Sequence, residues 1–315
     1  MTDAPSIAVL LPCFNESAAI AQTIAGFRVA LPEATIYVFD NNSSDDTMAA
    51  AAAAGAIVRS ERLRGKGNVV RRMFADVDAD IYIMADGDAT YDASSAPQMV
   101  ARLLEDQLDM VVGARIADRD AAYRSGHRIG NALLTGMLAK LFGRSFSDIL
   151  SGYRVFSRRF VKSFPILSGG FEIETEMSVH ALEMRMPVAE LPAPYFARPE
   201  GSVSKLSTYR DGWRILRTIV TLYRSERPVS FFGAIGAVLV VVALLLSGPL
   251  AMTYMQTGLV PRLPTAVLVT GLMILGALCF FTGLILDTVV RGRREMRRLA
   301  YLSFAAPGNP RHDGA

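Results

Sequence analysis

Two tracts near the C-terminus constrain this chain more than anything else in it: Val229 to Pro261 and Leu263 to Leu286 contain no Asp, Glu, Lys or Arg. Each exceeds the roughly 20 residues that a helix needs to span a bilayer, and a pair of buried core helices is a poor account of runs that long. Two transmembrane helices are expected, near Phe231 to Tyr254 and Pro264 to Val290. They explain a mean hydropathy of +0.29, too high for an ordinary soluble enzyme, in a 315-residue chain with room for one large or two modest folding units.

Basic residues set the expected orientation. Arg217, Arg224 and Arg227 precede the first tract, and Arg291, Arg293, Arg294, Arg297 and Arg298 follow the second, whereas the connection holds only Arg262. By the positive-inside rule both flanks face the cytoplasm, as for a two-span inner-membrane protein. The first two dozen residues lack the basic, apolar and small-residue regions of a cleaved signal, since Met1 to Leu11 reads as a short strand preceded by acid and proline, so the bulk of the chain is expected to stay cytoplasmic. A net charge of +3 gives no case for nucleic acid, and the arginine cluster after the second tract suits topology and anionic lipid better. Cys13 and Cys279 fall in different compartments, which argues against a disulfide, and His127, His180 and His312 lack metal-ligand spacing.

From Ser6 to Gly113, short apolar runs alternate with helical stretches. Ile7 to Leu11, Ile36 to Asp40, Ile81 to Ala85 and Met110 to Gly113 have strand length and composition. Ser17 to Ala30, Asp45 to Ala54, Lys66 to Asp76 and Ser94 to Asp106 have helical periodicity, with Ser17 and Ser44 placed to cap the first two. The alternation predicts an α/β fold with a doubly wound, mostly parallel sheet, in which ligands bind beyond the carboxyl ends of the strands. Past Gly113 it degrades into an expected helix, Arg124 to Phe142, and a mixed segment through Tyr195. Ser204 to Tyr223 mixes apolar and basic residues as an amphipathic juxtamembrane helix would, with a helix packed on the soluble domain as the alternative. The expected organisation is a soluble domain over 1–203, a juxtamembrane helix over 204–228, two spans over 229–290 and a basic tail over 291–315.

Polar residues just after the strands carry the chemistry. The first strand runs into Leu11-Pro12-Cys13-Phe14-Asn15-Glu16 and the second into Phe39-Asp40-Asn41-Asn42-Ser43-Ser44-Asp45-Asp46-Thr47. Carboxylates after neighbouring parallel strands can converge on base or ribose hydroxyls, although Asn, Ser and Asp also build ordinary turns and caps. The third strand runs into Ala85-Asp86-Gly87-Asp88-Ala89-Thr90. Two carboxylates so spaced can divide the work, one touching a ribose and the other holding Mg²⁺ or Mn²⁺ against a diphosphate, since hard cations take oxygen ligands and are completed by phosphate and water. Gly65-Lys66-Gly67-Asn68 suits either an approach to a nucleotide or a helix entry, and matches neither a P-loop nor a dinucleotide fingerprint.

These segments, with Val112-Gly113-Ala114-Arg115 and Ser151-Gly152-Tyr153-Arg154, resemble the family 2 glycosyltransferase catalytic domain of GT-A fold. The likeness is to the branch holding dolichyl-phosphate sugar synthases and bacterial undecaprenyl-phosphate sugar synthases. It covers about residues 6 to 210 and extends to the paired C-terminal helices. It implies nucleotide binding by Pro12, Phe14, Glu16 and Asp40, and an acidic metal pair at Asp86 and Asp88, with Gly87 between them. It further implies basic contacts to the donor diphosphate or the acceptor phosphate from Arg115, Arg128, Arg154 and Lys205, and places Glu174 by the active site. Thr90 departs from the pattern, since mannosyltransferase relatives often carry Gln there. Self-association through the spans is a further implication, and Gly271, Gly276 and Gly283 permit close helix contacts.

Physical chemistry supports the basic set independently: a phosphate acceptor and a diphosphate leaving group need cations between them, and the arginine fork suits phosphate. Phe171-Glu172-Ile173-Glu174-Thr175-Glu176 equally well places negative charge at a helix N-terminus, a stabilising arrangement in itself. The expected reaction is an inverting transfer of one sugar from a UDP- or GDP-sugar to a polyisoprenyl (undecaprenyl) phosphate. A transfer to a hydroxyl of a lipid-linked glycan and a catalytically silent nucleotide-sugar binder stay open beside it. A processive synthase is disfavoured because Trp213 lies in Asp211-Gly212-Trp213-Arg214 rather than in Gln-x-x-Arg-Trp, and a dinucleotide oxidoreductase because no Gly-x-Gly-x-x-Gly follows the first strand.

Overall fold

The computed structural model describes residues 5–117, 136, 146–170, 172–199, 217, 220–221 and 223–308. The chain divides into two compact units, Met1–Ile215 with Met296–Ala315, and Leu216–Glu295.

In the first unit the apolar runs, too short for stable helices, pair as strands: β1 (Ile7–Cys13), β2 (Thr35–Asp40), β3 (Ile57–Ser60), β4 (Ile81–Met84), β5 (Met110–Ala117), β6 (Arg154–Ser157) and β7 (Val188–Tyr195). They form one seven-stranded sheet in the order β3-β2-β1-β4-β6-β5-β7. All neighbours are parallel except β6, which runs antiparallel to β4 and β5. The intervening helices are α1 (Ile20–Ala30), α2 (Thr47–Ala53), α3 (Lys66–Asp76), α4 (Ala96–Glu105), α5 (Arg158–Ser163) and α6 (Ile173–Glu183). Val9, Leu11, Ile83, Val111 and Val155 pack with Ile24 and Phe27 of α1 and Met99 and Leu103 of α4 in one core. A second core holds Phe156, whose ring lies 5.7 Å from Phe74 of α3 and 4.7 Å from Phe160 of α5. All four residues of β4 are buried, as a strand covered on both faces requires.

Three strands escape the sequence pattern. β3 and β6 have four residues each, and the buried β6 begins with an arginine. β7 contains Pro192 and Pro194, which a sheet tolerates at an edge, and its position beside β5 at the end of the sheet order is such an edge. The expected serine caps are corrected as well. α1 and α2 begin about three residues beyond Ser17 and Ser44, and no side chain caps either helix. These serines instead donate backbone N–H groups across the loops, Ser17 to Asp45 Oδ2 at 3.1 Å and Ser44 to Asn15 Oδ1 at 2.8 Å. The helix expected over Arg124 to Phe142 lies outside the described residues apart from Gly136.

The second unit contains α7 (Pro228–Thr257) and the part of α8 (Leu263–Leu302) that ends at Glu295. Both helices are long and apolar enough to cross a membrane. A Cβ on Gly236 would lie 2.8 Å from the Gly276 carbonyl oxygen, one on Gly276 2.8 Å from Val240 Cγ2, and one on Gly283 3.1 Å from Val229 Cα. Gly276 and Gly283 therefore serve contact between the two helices of one chain, whereas Gly271 meets nothing within 4 Å. Of the expected juxtamembrane helix, 204–216 lie outside the described residues; Arg217, Val220, Thr221 and 223–226 are helical.

The expected basic tail is helical through Leu302, and Met296–Leu302 belong to the first unit. Arg297 pairs with Glu183 at 2.6 Å, and Arg298 donates to the Met184 carbonyl at 3.0 Å. The Tyr301 hydroxyl donates to the fully buried Asp109 at 2.9 Å, and Arg159 lies over the Tyr301 ring. These partners give the segment a packed face, which is why it continues as helix.

Candidate active site

β1 lies between β2 and β4, so the loops leaving all three strands share one edge of the sheet. The first two are cross-tied: Asn15 N donates to Ser43 Oγ at 2.8 Å, Glu16 N to Thr47 Oγ1 at 2.8 Å, and Asn41 N to the Cys13 carbonyl at 2.8 Å. Asn15 and Asn42 adopt φ values of 53° and 61°, a left-handed conformation that Asn tolerates better than most residues. Pro12 is partly buried in β1, Phe14 is exposed just beyond it and Glu16 is buried. Asp40 is buried, with Oδ2 accepting from Ser43 N at 3.0 Å and Oδ1 buried without a hydrogen-bond partner. An unmet buried acceptor costs about 1–3 kcal/mol, so this oxygen fits a ligand donor such as a base N–H or a ribose hydroxyl.

The third loop brings Asp86 and Asp88 to the same edge. Glycine at 87 is required, because a Cβ there would overlap Cys13 Sγ. Ala89 takes φ 58°, an uncommon state for a residue with a Cβ, and so turns the chain sharply after the acid pair. Asp88 is 3% exposed. Its Oδ1 accepts from Thr90 Oγ1 at 2.6 Å and Thr90 N at 3.2 Å, and its Oδ2 pairs with Arg198 at 2.7 Å. Thr90, the departure from the family pattern, thus fixes the Asp88 carboxylate. Burial, then the charge of Asp86, raises the Asp88 pKa against the opposing pull of Thr90 and Arg198. The buried Cys13 thiol reports the same convergence: burial raises its pKa first, followed by Glu16, Asp40, Asp86 and Asp88.

The expected basic residues divide. Arg115, on β5, forms a two-pronged pair with Asp148, Nε at 2.6 Å and Nη2 at 2.8 Å, with its guanidinium over the Tyr195 ring. Arg154 is held differently from Arg115. It is fully buried and donates to the Ser151 and Ile149 carbonyls and to Ser178 Oγ at 2.9, 2.6 and 3.0 Å. Burial lowers its pKa to about 10. Arg154 braces the 149–151 loop, a role its Ser-Gly-Tyr-Arg context does not distinguish from ligand binding. Arg128 and Lys205 lie outside the described residues.

Two cations join the site without having been singled out as ligands of its acids. Arg198 follows β7 in a loop and reaches Asp88. Lys66, the first residue of α3, reaches Asp86 Oδ1 at 2.5 Å and Glu174 Oε1 at 2.6 Å. A usable signal for Lys66 existed, since the chain has 4 lysines against 29 arginines and places this one between two glycines. Arg198 carried no comparable signal.

The acid pair fits a divalent cation of the Mg²⁺ or Mn²⁺ kind. Among the described residues no three His, Cys, Asp or Glu side chains gather as a complete cage. Two carboxylates whose remaining positions fall to phosphate and water are what such ions commonly take.

A mostly parallel sheet interrupted by one antiparallel strand, with an acid pair beyond a central strand, defines the GT-A class of glycosyltransferase domains. Residues 8–164 match glycosyl transferase family 2, and the chain belongs to that family. It is 34% identical over 233 residues to glycosyltransferase AglJ of Haloferax volcanii, covering 73% of this chain and 76% of that one. It is 26% identical to the dolichyl-phosphate hexose transferase of the same organism, over 70% of this chain and 95% of that one. Glucosyl-3-phosphoglycerate synthase from Mycobacterium tuberculosis, in complex with Mn²⁺, UDP and glucosyl-3-phosphoglycerate, has the same fold. Its TM-score is 0.57 at 24% identity, over 70% of this chain and 79% of that one.

Proposed function

We propose that this glycosyltransferase moves one sugar, with inversion, from a UDP- or GDP-sugar to a polyisoprenyl phosphate at the cytoplasmic face of the inner membrane. One observation carries the reading: the acid pair and the open oxygen of Asp40 sit in a chain that also holds two helices of membrane-spanning length. The likeness to a dolichyl-phosphate hexose transferase supports the acceptor class, and that to a synthase complexed with UDP and Mn²⁺ supports the donor and metal classes.

Pro12, Phe14, Glu16 and Asp40 hold the nucleoside, and Gly87 lets the acid turn close onto β1. Asp88 and Asp86 hold the divalent ion, which when bound offsets charge on the departing diphosphate. Arg115 and Arg198, with Arg128 and Lys205 by resemblance, keep the anionic groups from repelling one another. An oxygen of the lipid phosphate attacks the anomeric carbon from the face opposite the leaving group. The bond from that carbon to the diphosphate oxygen breaks, and its electron pair departs with the nucleoside diphosphate. A phosphate is ionised at neutral pH, so no proton has to be removed.

A hydroxyl acceptor on a lipid-linked glycan is the second reading, favoured by 33% identity to the low-salt glycan biosynthesis hexosyltransferase Agl6 of Haloferax volcanii, of which the chain covers 59%. Competition decides between them. Purified protein offered a donor with equal undecaprenyl phosphate and lipid-linked glycan should label the phosphate alone; label on the glycan alone would overturn the proposal.

A further inference from the structure

Lys66 is the point at which three separate segments meet. Its ammonium touches Asp86 beyond β4 and Glu174 in the first turn of α6, with side-chain exposures of 10%, 31% and 6% for Lys66, Asp86 and Glu174. The backbone is shaped to bring them together. Gly65 has φ +121°, and a Cβ on Gly65 or Gly67 would run into the Gly169 or Ser168 carbonyl. Gly67 N donates to the Gly170 carbonyl at 3.1 Å, so the loop leading to α6 lies directly on the Gly-Lys-Gly turn. From the other side, a Cβ on Gly152 would come within 2.9 Å of Asp86 Oδ2 and 3.1 Å of Lys66 Nζ. Three glycines are thus committed to one buried ammonium and its two carboxylates.

Buried charges persist only when paired, and removing one member leaves the other desolvated and uncompensated. A carboxylate oxygen that already accepts from a buried ammonium, on a side chain only 6% exposed, is not free to take a proton from an acceptor. We propose that Lys66 is a positioning residue that fixes Asp86 for donor binding, and that Glu174 acts as its counter-ion and not as the base of the reaction. This rests on the lipid-phosphate reading and deepens it: a site whose nearest extra carboxylate is occupied by a lysine takes an acceptor that arrives already ionised.

The test uses the full-length protein with Lys66→Met, Glu174→Gln and the double variant. Transfer from UDP- and GDP-sugars to undecaprenyl phosphate is measured as kcat and donor KM, and thermal unfolding is followed without substrate. K66M should lose at least ~100-fold in kcat/KM with a raised donor KM, the mark of a displaced Asp86. E174Q should lose less than ~10-fold in kcat. The double variant should unfold at a higher temperature than K66M, because one of the two carboxylates that K66M leaves unpaired is gone. A ~100-fold or greater fall in kcat for E174Q at unchanged KM would make Glu174 a base. A double variant that unfolds no later than K66M would show that Glu174 is not the counter-ion of Lys66; either result overturns the inference. A wild-type protein inactive with undecaprenyl phosphate but active on a hydroxyl acceptor overturns the proposed function instead, and the unfolding cycle still judges the ion pairs.

Discussion

Asp88 concentrates the electrostatics of the site in one side chain: nearly fully buried, braced by Thr90, paired with Arg198 and raised in pKa by burial. Asp88→Asn keeps the shape and removes the charge. We expect kcat to fall about 10²–10³-fold, the usual scale for losing one group that organises developing charge, with the unfolding temperature within a few degrees of wild type. Steady-state kinetics with a thermal melt checks both. His180 makes a different prediction. Its ring packs against Phe160 and Phe164, at centroid distances of 5.5 and 5.1 Å, and its pKa is lowered to about 3, by burial first and then by the charge of Arg297. An unfolded histidine takes its proton near pH 6.5, so the unfolded state binds more protons between about pH 6.5 and 3. Stability therefore falls as pH drops through that window, by up to about 1.4 kcal/mol per unit. His180→Leu should flatten the decline, as read by denaturant unfolding from pH 7 to 4. Residue-scale legibility was uneven for a physical reason. Asp40, Asp86 and Asp88 follow strands that the apolar pattern reveals, so topology alone brings them together. Arg154 and Arg198 are both arginines near loops, and only burial separates a brace from a partner of the acid pair.

At the scale of elements, β1, β2, β4 and β5 were legible because each is a bounded apolar run in a region of regular alternation. β6 was not, since a buried arginine satisfied by carbonyls looks polar in sequence, and β7 was not, since its prolines are allowed only by an edge position that sequence does not state. The ends of α1 and α2 were misplaced because Ser17 and Ser44 serve contacts between loops. The paired membrane-length helices offer a clean test of packing. Gly276→Leu should drive the side chain into Val240 and destabilise the helix pair by about 1–3 kcal/mol, whereas Gly271→Leu, with open space around it, should be near neutral. Unfolding in micelles compares the two. The end of α8 makes a matching case: Tyr301→Phe deprives buried Asp109 of a donor and should cost about 1.5–3 kcal/mol in the same assay.

For the molecule as a whole, the apolar tracts were plain in the sequence because hydropathy needs no tertiary context, and the arginine distribution predicts which side each flank occupies. With single cysteines introduced at Leu259 and Ala305, a membrane-impermeant thiol reagent applied to intact spheroplasts should label only Leu259→Cys. Labelling of Ala305→Cys alone would reverse the topology and separate the active site from cytoplasmic nucleotide-sugars. The central claim is the reaction itself. It is tested most directly by offering the purified protein radiolabelled UDP- and GDP-sugars with undecaprenyl phosphate, with Mg²⁺ or Mn²⁺ and again with chelator. The account predicts one lipid-phosphate-linked monosaccharide, formed from one donor and abolished by chelation; no lipid product from any donor, while sugar passes to a hydroxyl acceptor, would contradict it.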